Sequence, residues 1–508
     1  MRRNRYEGFL LIFGLAVLAA GSCAKQQESA PAAPTNEAKA PTPPGGGKIP
    51  VTTASAEAKA EFLKGQDLAD KLLITDSLQH FEKAVALDPN FALAELNLAT
   101  SAPTGNGFFE HLHKAVGLAD KASNGERLLI LGTEAGANND LLKQKEYFDQ
   151  LVAAYPNDER AHFSLGGYYF AQQDYPQAIE HYKKALELEP NYSNAYNLLG
   201  YAYRQAGDYP NAEKAFQRYI ELIPKDPNPY DSYAELLLKM GRFDDSIVQY
   251  RKALEVDPNF LNAHQGIAMD LLYLGKPREA TAELENFARK ARNDGERRTA
   301  LFAQTVVDID GGKFAKALEE VDQQYALGEK THDVPAMAFD RGLRGNILVE
   351  MGKADQARAE FDRAVELVEG SDLSQEIKDN TKLVHHFNLA TVAVAKKNFA
   401  AAKKEADAYR TGVASSKNPL QKRFAHELDG TIALAEKDYD KALAELPQAN
   451  LQNPYNLYRL GQAYQGKGDK EKAKEFFTKA ANFNGLPSQN YAYIRLKAKA
   501  LAGGEKKA

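Results

Sequence analysis

Residues Ser164–Tyr192 read SLGGYYFAQQDYPQAIEHYKKALELEPNY, and Asn197–Lys225 read NLLGYAYRQAGDYPNAEKAFQRYIELIPK. Aligned on their glycines, the two stretches repeat each other: Gly166 falls with Gly200, Ala178 with Ala212, Tyr182 with Phe216 and Pro190 with Pro224. A fixed period of roughly 34 residues predicts a solenoid of stacked helix pairs. His162, Leu165, Gly166 and Tyr169 fall at i, i+3, i+4 and i+7, one face of a first helix. Ala178, Tyr182 and Ala185 mark the packed face of a second. The small Gly166 and Ala178 let two helix axes approach to about 8–10 Å. Tyr182 fills the space they leave, a burial worth roughly 1.5–3 kcal/mol. Pro190 stops the second helix. Neither helix buries its stripe alone, so each pair requires the next.

Outward from this stretch the small residue recurs at Gly65, Ala99, Gly132, Ala234 and Ala268, then at wider spacing at Thr305, Gly345, Ala390, Gly430 and Gly461. The bulky partners are Phe81, Phe148, Tyr182, Phe216, Tyr250 and Leu284. The unit resembles the tetratricopeptide repeat (TPR). The resemblance implies an all-α fold, a right-handed superhelical TPR solenoid of about twelve helical hairpins. We expect a regular array over 58–294, an irregular one over 295–487 and a polar capping helix with tail over 488–508. In the second repeat, Pro103 and its flanking glycines predict a shortened helix or a long loop. The wider later spacing predicts longer loops near Gly328–Pro335, Gly370–Asp379 and Ser415–Pro419.

The N-terminus carries a separate message. Arg2, Arg3 and Arg5 precede an apolar run, Phe9–Ala20, and then Ala20-Gly21-Ser22-Cys23. That order reads as a secretory signal peptide over 1–22, too short for a membrane span of about 20 apolar residues. Cys23 is the single cysteine, so an intrachain disulfide is ruled out. Small residues before it resemble the lipobox of bacterial lipoproteins, with a departure at Ala20, where a large aliphatic residue is usual. That resemblance implies lipidation of Cys23 and a membrane anchor, on the outer membrane and facing the periplasm; a plain cleaved signal is the alternative. Residues 23–57, rich in Ala, Pro and Gly, show no apolar period and read as a disordered tether.

Net charge is −5, which argues against a nucleic-acid partner, since phosphate tracking needs a basic face. His426-Glu427 begins like a zinc helix, but Gly430 stands at the second histidine position. His386 aligns with His162, His264 and His426 on the packed face and reads as a core histidine. With no nucleophile or metal set, the chain reads as a non-enzyme without cofactor. What remains is surface. By spacing, the inner wall carries Arg160, Phe163, Asn194, Asn197, Tyr201, Arg204, Asn228, Asp231, Glu235, Asn262 and Gln265. TPR arrays bind extended peptides on this wall, so these residues are the candidate groove. An Asn amide both donates and accepts, and so suits a peptide backbone. Further along, Phe302, Phe339, Val384, Phe387, Phe424, Tyr455 and Tyr458 make the wall apolar: a docking patch, or residues that a tighter curl covers. The expected function is a protein-binding scaffold of the bacterial cell envelope. The alternatives are a periplasmic holdase and a subunit that recruits an enzyme or pore of polysaccharide export.

Overall fold

A computed structural model describes residues 47–71, 74–102, 105–138, 140–373, 375–414 and 419–503. The signal segment, Cys23 and most of the expected tether lie outside the described residues. Within them lie twenty-five α-helices and two short 3-10 helices, and no strand. The helices pair into twelve successive hairpins followed by one final helix, Gln489–Leu501.

Each hairpin is built as the sequence spacing requires. A Cβ on Gly166 would stand 2.8 Å from the Tyr182 ring, and one on Gly200 2.7 Å from Phe216. Only hydrogen fits where the aromatic of the second helix crosses the first. Second helices start on Asp174 and Asp208, whose carboxylates accept the amides of Gln177 and Asn211, with Pro176 and Pro210 in the first turn. Between the helices the chain reverses through one left-handed residue, seven places after the small one. Gly207 takes it at φ +81, whereas Gln173, Lys397 and Lys437 adopt the same conformation at a steric cost.

The second repeat meets the shortened-helix expectation: its first helix, Ala92–Ser101, has only 10 residues. The wider later spacing comes from longer helices, not from long loops. Asp294–Asp310 has 17 residues, Phe314–Thr331 has 18 and Gln375–Ala395 has 21. Gly328 sits inside the second of these, facing the Met337 side chain. Added residues extend the hairpin by further turns, which bury more apolar surface than a loop would. The expected long loop at Gly370–Asp379 shrinks because the next helix begins at Gln375; residues 415–418 of the third lie outside the described residues. The described residues divide into two compact units that part between Pro229 and Tyr230. Packing between residues distant in sequence draws that line, and spacing does not report it.

Candidate segment-binding walls

The first unit holds a segment of its own chain. Residues Gly47–Ser55 form no helix and run across the starts of three first helices, where the sequence suggested the end of a disordered tether. Ile49 N–H donates to Asp158 Oδ2 (2.7 Å), Thr52 N–H to Glu126 Oε1 (2.8 Å) and Ala54 N–H to Asp88 Oδ2 (3.1 Å). Each carboxylate is shared. Asp158 Oδ1 caps its own helix through Arg160 N and Ala161 N, Glu126 Oε2 takes Ser123 N in a capping box, and Asp88 Oδ1 takes Asn90 N. Lys48 pairs with Glu159. Ile49 packs with Tyr155 and Leu128, and Val51 with the neighbouring apolar cluster. At the other end of the first helix Ala56–Asp70, Asp70 accepts Arg160 at 2.6 Å, and its carbonyl accepts the Ser193 hydroxyl at 2.5 Å.

The second unit also holds a segment of its own chain, by groups of the opposite kind. Four successive repeats are concerned: Asn228–Val256, Asn262–Lys290, Asp294–Thr331 and Val334–Glu369. Five places after the small residue of each first helix stand Lys239, Tyr273, Asp310 and Glu350. Lys239 Nζ donates to the Phe483 carbonyl (2.6 Å) and lies 3.6 Å from that ring's centroid. The Tyr273 hydroxyl donates to the Gly485 carbonyl (2.6 Å). Asp310 accepts both Nε and one terminal nitrogen of Arg495 (2.7 and 2.6 Å), a buried bidentate pair. Glu350 accepts Lys497 (3.2 Å) and the Tyr455 hydroxyl (2.7 Å). Successive repeats thus meet successive positions of one segment, in the same order. The final helix was expected as a polar cap. It does pack beside the last hairpin, but Tyr491, Ile494 and Ala498 also enter one core with Val306, Val307 and Ile347.

This arrangement decides the apolar wall. Phe302, Phe339, Tyr455 and Tyr458 pack against that core and are covered by the chain itself. Phe387 and Phe424 pair edge to face at 5.9 Å, while Val384 and Phe424 stay exposed.

The candidate groove residues separate in the same way. Asn197 (5% exposed), Tyr201 (4%), Asp231 (4%) and Glu235 (5%) are buried. Tyr201 packs edge to face on Phe216 beneath the Arg204 guanidinium. Burial holds the Asp231 carboxyl well above the usual range, and the neighbouring Glu235 adds to it. Arg160 is committed to Asp70, and Asn228 Nδ2 donates to the Tyr219 hydroxyl at 3.0 Å. Phe163, Asn194, Arg204 and Gln265 are half-buried, and Asn262 is exposed. The amide oxygen of Asn197 is buried without a hydrogen-bond partner among the described residues.

Six of the ten histidines share one structural device. His264, His386 and His426 each meet a carboxylate nineteen residues on, in the second helix: Glu283, Glu405 and Glu445. Glu61 and His80 reverse the order at 2.8 Å. In the fourth repeat both places hold histidine, and His162 and His181 stack with Nδ1 atoms 3.2 Å apart. His162 Nε2 donates to the Pro156 carbonyl (3.0 Å), leaving its Nδ1 to accept. No group of three or more metal-ligating side chains occurs among the described residues, and no described helix is long and apolar enough to cross a membrane.

The tetratricopeptide repeat family model matches residues 131–193 and 168–227 in one form, and 228–260 and 454–484 in another. Curated proteins yield no match. Among solved structures, the chain is similar to a crystal structure of MamA protein: 24% identity, 33% of this chain and 91% of that one, TM-score 0.30. It is also similar to MamA 41-end from Desulfovibrio magneticus RS-1, with 16% identity, 32% and 93% covered and TM-score 0.30. A tetratricopeptide repeat protein from Parabacteroides merdae ATCC 43184 shares 15% identity over 65% of this chain and 100% of that one, TM-score 0.33. The described chain is an all-α array of helical hairpins, consistent with a solenoid of tetratricopeptide repeats, and residues 131–260 and 454–484 match the family models.

Proposed function

We propose that this protein is a non-catalytic scaffold of the bacterial cell envelope, exported by its signal segment and anchored through lipid on Cys23, which holds a segment of a partner protein on its inner walls. One observation carries the binding part. Both units already hold segments of their own chain, largely through backbone N–H and C=O groups. Contacts of that kind are indifferent to side-chain identity, so a wall that makes them in cis is chemically equipped to make them in trans. Envelope and anchor rest on the order of charge, apolar run and small residues before Cys23.

A photoreactive side chain placed at Asn194, at Asn262 or at the outer-face Lys183 tests the scaffold in the native host. Adducts to one protein at Asn194 and Asn262, with none at Lys183, are expected. Equal labelling at all three sites overturns the inner-wall reading. Labelled palmitate is expected to enter the wild-type chain and not Cys23→Ser; label surviving in that variant removes the anchor.

A further inference from the structure

We propose that the wall of Lys239, Tyr273, Asp310 and Glu350 is a binding site for a segment of defined chemistry: a short non-helical stretch followed by a basic helix. In the free chain, residues 483–497 occupy it. This deepens the scaffold reading and rests on it.

The four wall residues share one repeat position, so the wall has a register. Its first half reads main chain. Lys239 and Tyr273 hold the carbonyls of Phe483 and Gly485, on either side of the left-handed Asn484. Its second half reads charge. Asp310 and Glu350 take Arg495 and Lys497, also two residues apart. Between these halves an apolar floor, to which Phe302, Phe339, Tyr455 and Tyr458 contribute, is covered by the segment's Tyr491 and Ile494. The occupant this wall fits therefore has an aromatic or aliphatic face and two cations at its distal end. Charge complementarity to Asp310 and Glu350 excludes an acidic helix.

The resident segment holds its place imperfectly. The Tyr493 hydroxyl is buried without a hydrogen-bond partner among the described residues. The Arg495–Asp310 pair is buried, so its attraction is offset by lost hydration of both charges. The connection from the last hairpin passes through Asn484 at φ +44, a left-handed non-glycine residue. Such a segment keeps its place through tethering, because a short linker gives it an effective concentration on the order of millimolar. A partner segment without these defects displaces it when its own affinity exceeds that advantage.

A fluorescent peptide of residues 482–502 is the probe, and the full chain is the receptor. On the wild-type chain, binding should be weak, because the site is filled. In Arg495→Glu the resident helix sets a carboxylate against Asp310 and leaves the wall, so the same peptide should bind at least tenfold tighter. In Asp310→Arg the wild-type peptide should fail, and a peptide carrying R495E should bind. Helical circular dichroism and a cooperative melt report whether each chain is folded. Equal peptide affinity for wild-type and R495E chains overturns the proposal. So does collapse of the R495E fold, since the segment would then be an inseparable part of the core. Partner adducts still forming at Asn194 alongside a failed peptide test would remove this site and leave the scaffold standing. Absent adducts with successful peptide exchange would do the reverse.

Discussion

The first unit grips its extended segment by the N–H groups, and the second grips its own by the carbonyls. The difference follows from which ends of the helices face the segment. Starts of first helices collect carboxylates, because an acidic side chain there accepts free amides and opposes the positive end of the helix dipole. Asp158 and Glu126 are present for that local reason, and each has one oxygen to spare for residues 49 and 52. Ends of first helices leave carbonyls free and favour cations and donors, so Lys239 and Tyr273 suit that place. Asp310 and Glu350 end their helices against the dipole, so it is these two carboxylates that lack a local purpose and better mark a binding surface.

The largest expected effect tests whether the second wall is part of that unit's stability. Asp310→Ala strands a buried Arg495 and should cost about 3–5 kcal/mol, read by denaturant unfolding of the second unit. Asp310→Ala with Arg495→Met should cost clearly less, since no charge is left alone. Next is a control inside the same unit but off the wall. Asp270 is fully buried beside Ser246, and burial pushes its carboxyl up to about 8. Its folded value lies above its unfolded value, so stability falls as pH rises between about 4 and 8. Asp270→Asn should therefore gain about 2–4 kcal/mol over wild type on going from pH 5 to pH 8, visible in parallel melts.

Glu126→Ala probes the first wall. It orphans two amides, Ser123 and Thr52, and should cost about 1–3 kcal/mol, with hydrogen exchange accelerating at residues 49–54. An unchanged Thr52 amide would show that the arm does not depend on the helix starts. The smallest effect is acidification. His181 is held below its usual range by burial and by His162 beside it. Stability from that pair is complete above about pH 6.5 and falls as pH drops below it. In the second unit, burial tends to raise Glu283, and the bond from His264 more than offsets it. That contribution is present above about pH 4.5 and is lost only as pH falls through the lower folded value. Between pH 7 and pH 5 the His162–His181 pair should cost the first unit about 1 kcal/mol or less, while the His264–Glu283 pair costs the second nothing. His162→Leu should reduce the loss without removing it, since burial of His181 remains, as exchange at residues 159–188 would show.

Much of the hairpin was legible in the sequence, since its contacts close over short distances. Gly166 needs Tyr182 sixteen residues on, and His264 needs Glu283 nineteen on. The left-handed position was legible too, in the glycines at 207, 241, 275, 312, 352 and 468, although reading by packed faces passes over it. The candidate groove was only half legible. Periodicity placed Asn197, Tyr201, Asp231 and Glu235 on an inner face, yet it carries no information on what covers that face. The ladder at Lys239, Tyr273, Asp310 and Glu350 was missed, because four unlike residues at one repeat position look like variation.

By itself, the sequence determined that this protein is a run of helical hairpins, where each turns, and which small residue admits which aromatic. Those are nearest-neighbour matters, settled by steric fit within some forty residues. Only the tertiary structure decided that residues 48–55 lie along the helix starts of the first unit. It alone decided that Arg495 finds Asp310 across 185 residues. Such meetings depend on the curvature of the stack, a sum of many small rotations between successive hairpins, and no single stretch of chain encodes that sum.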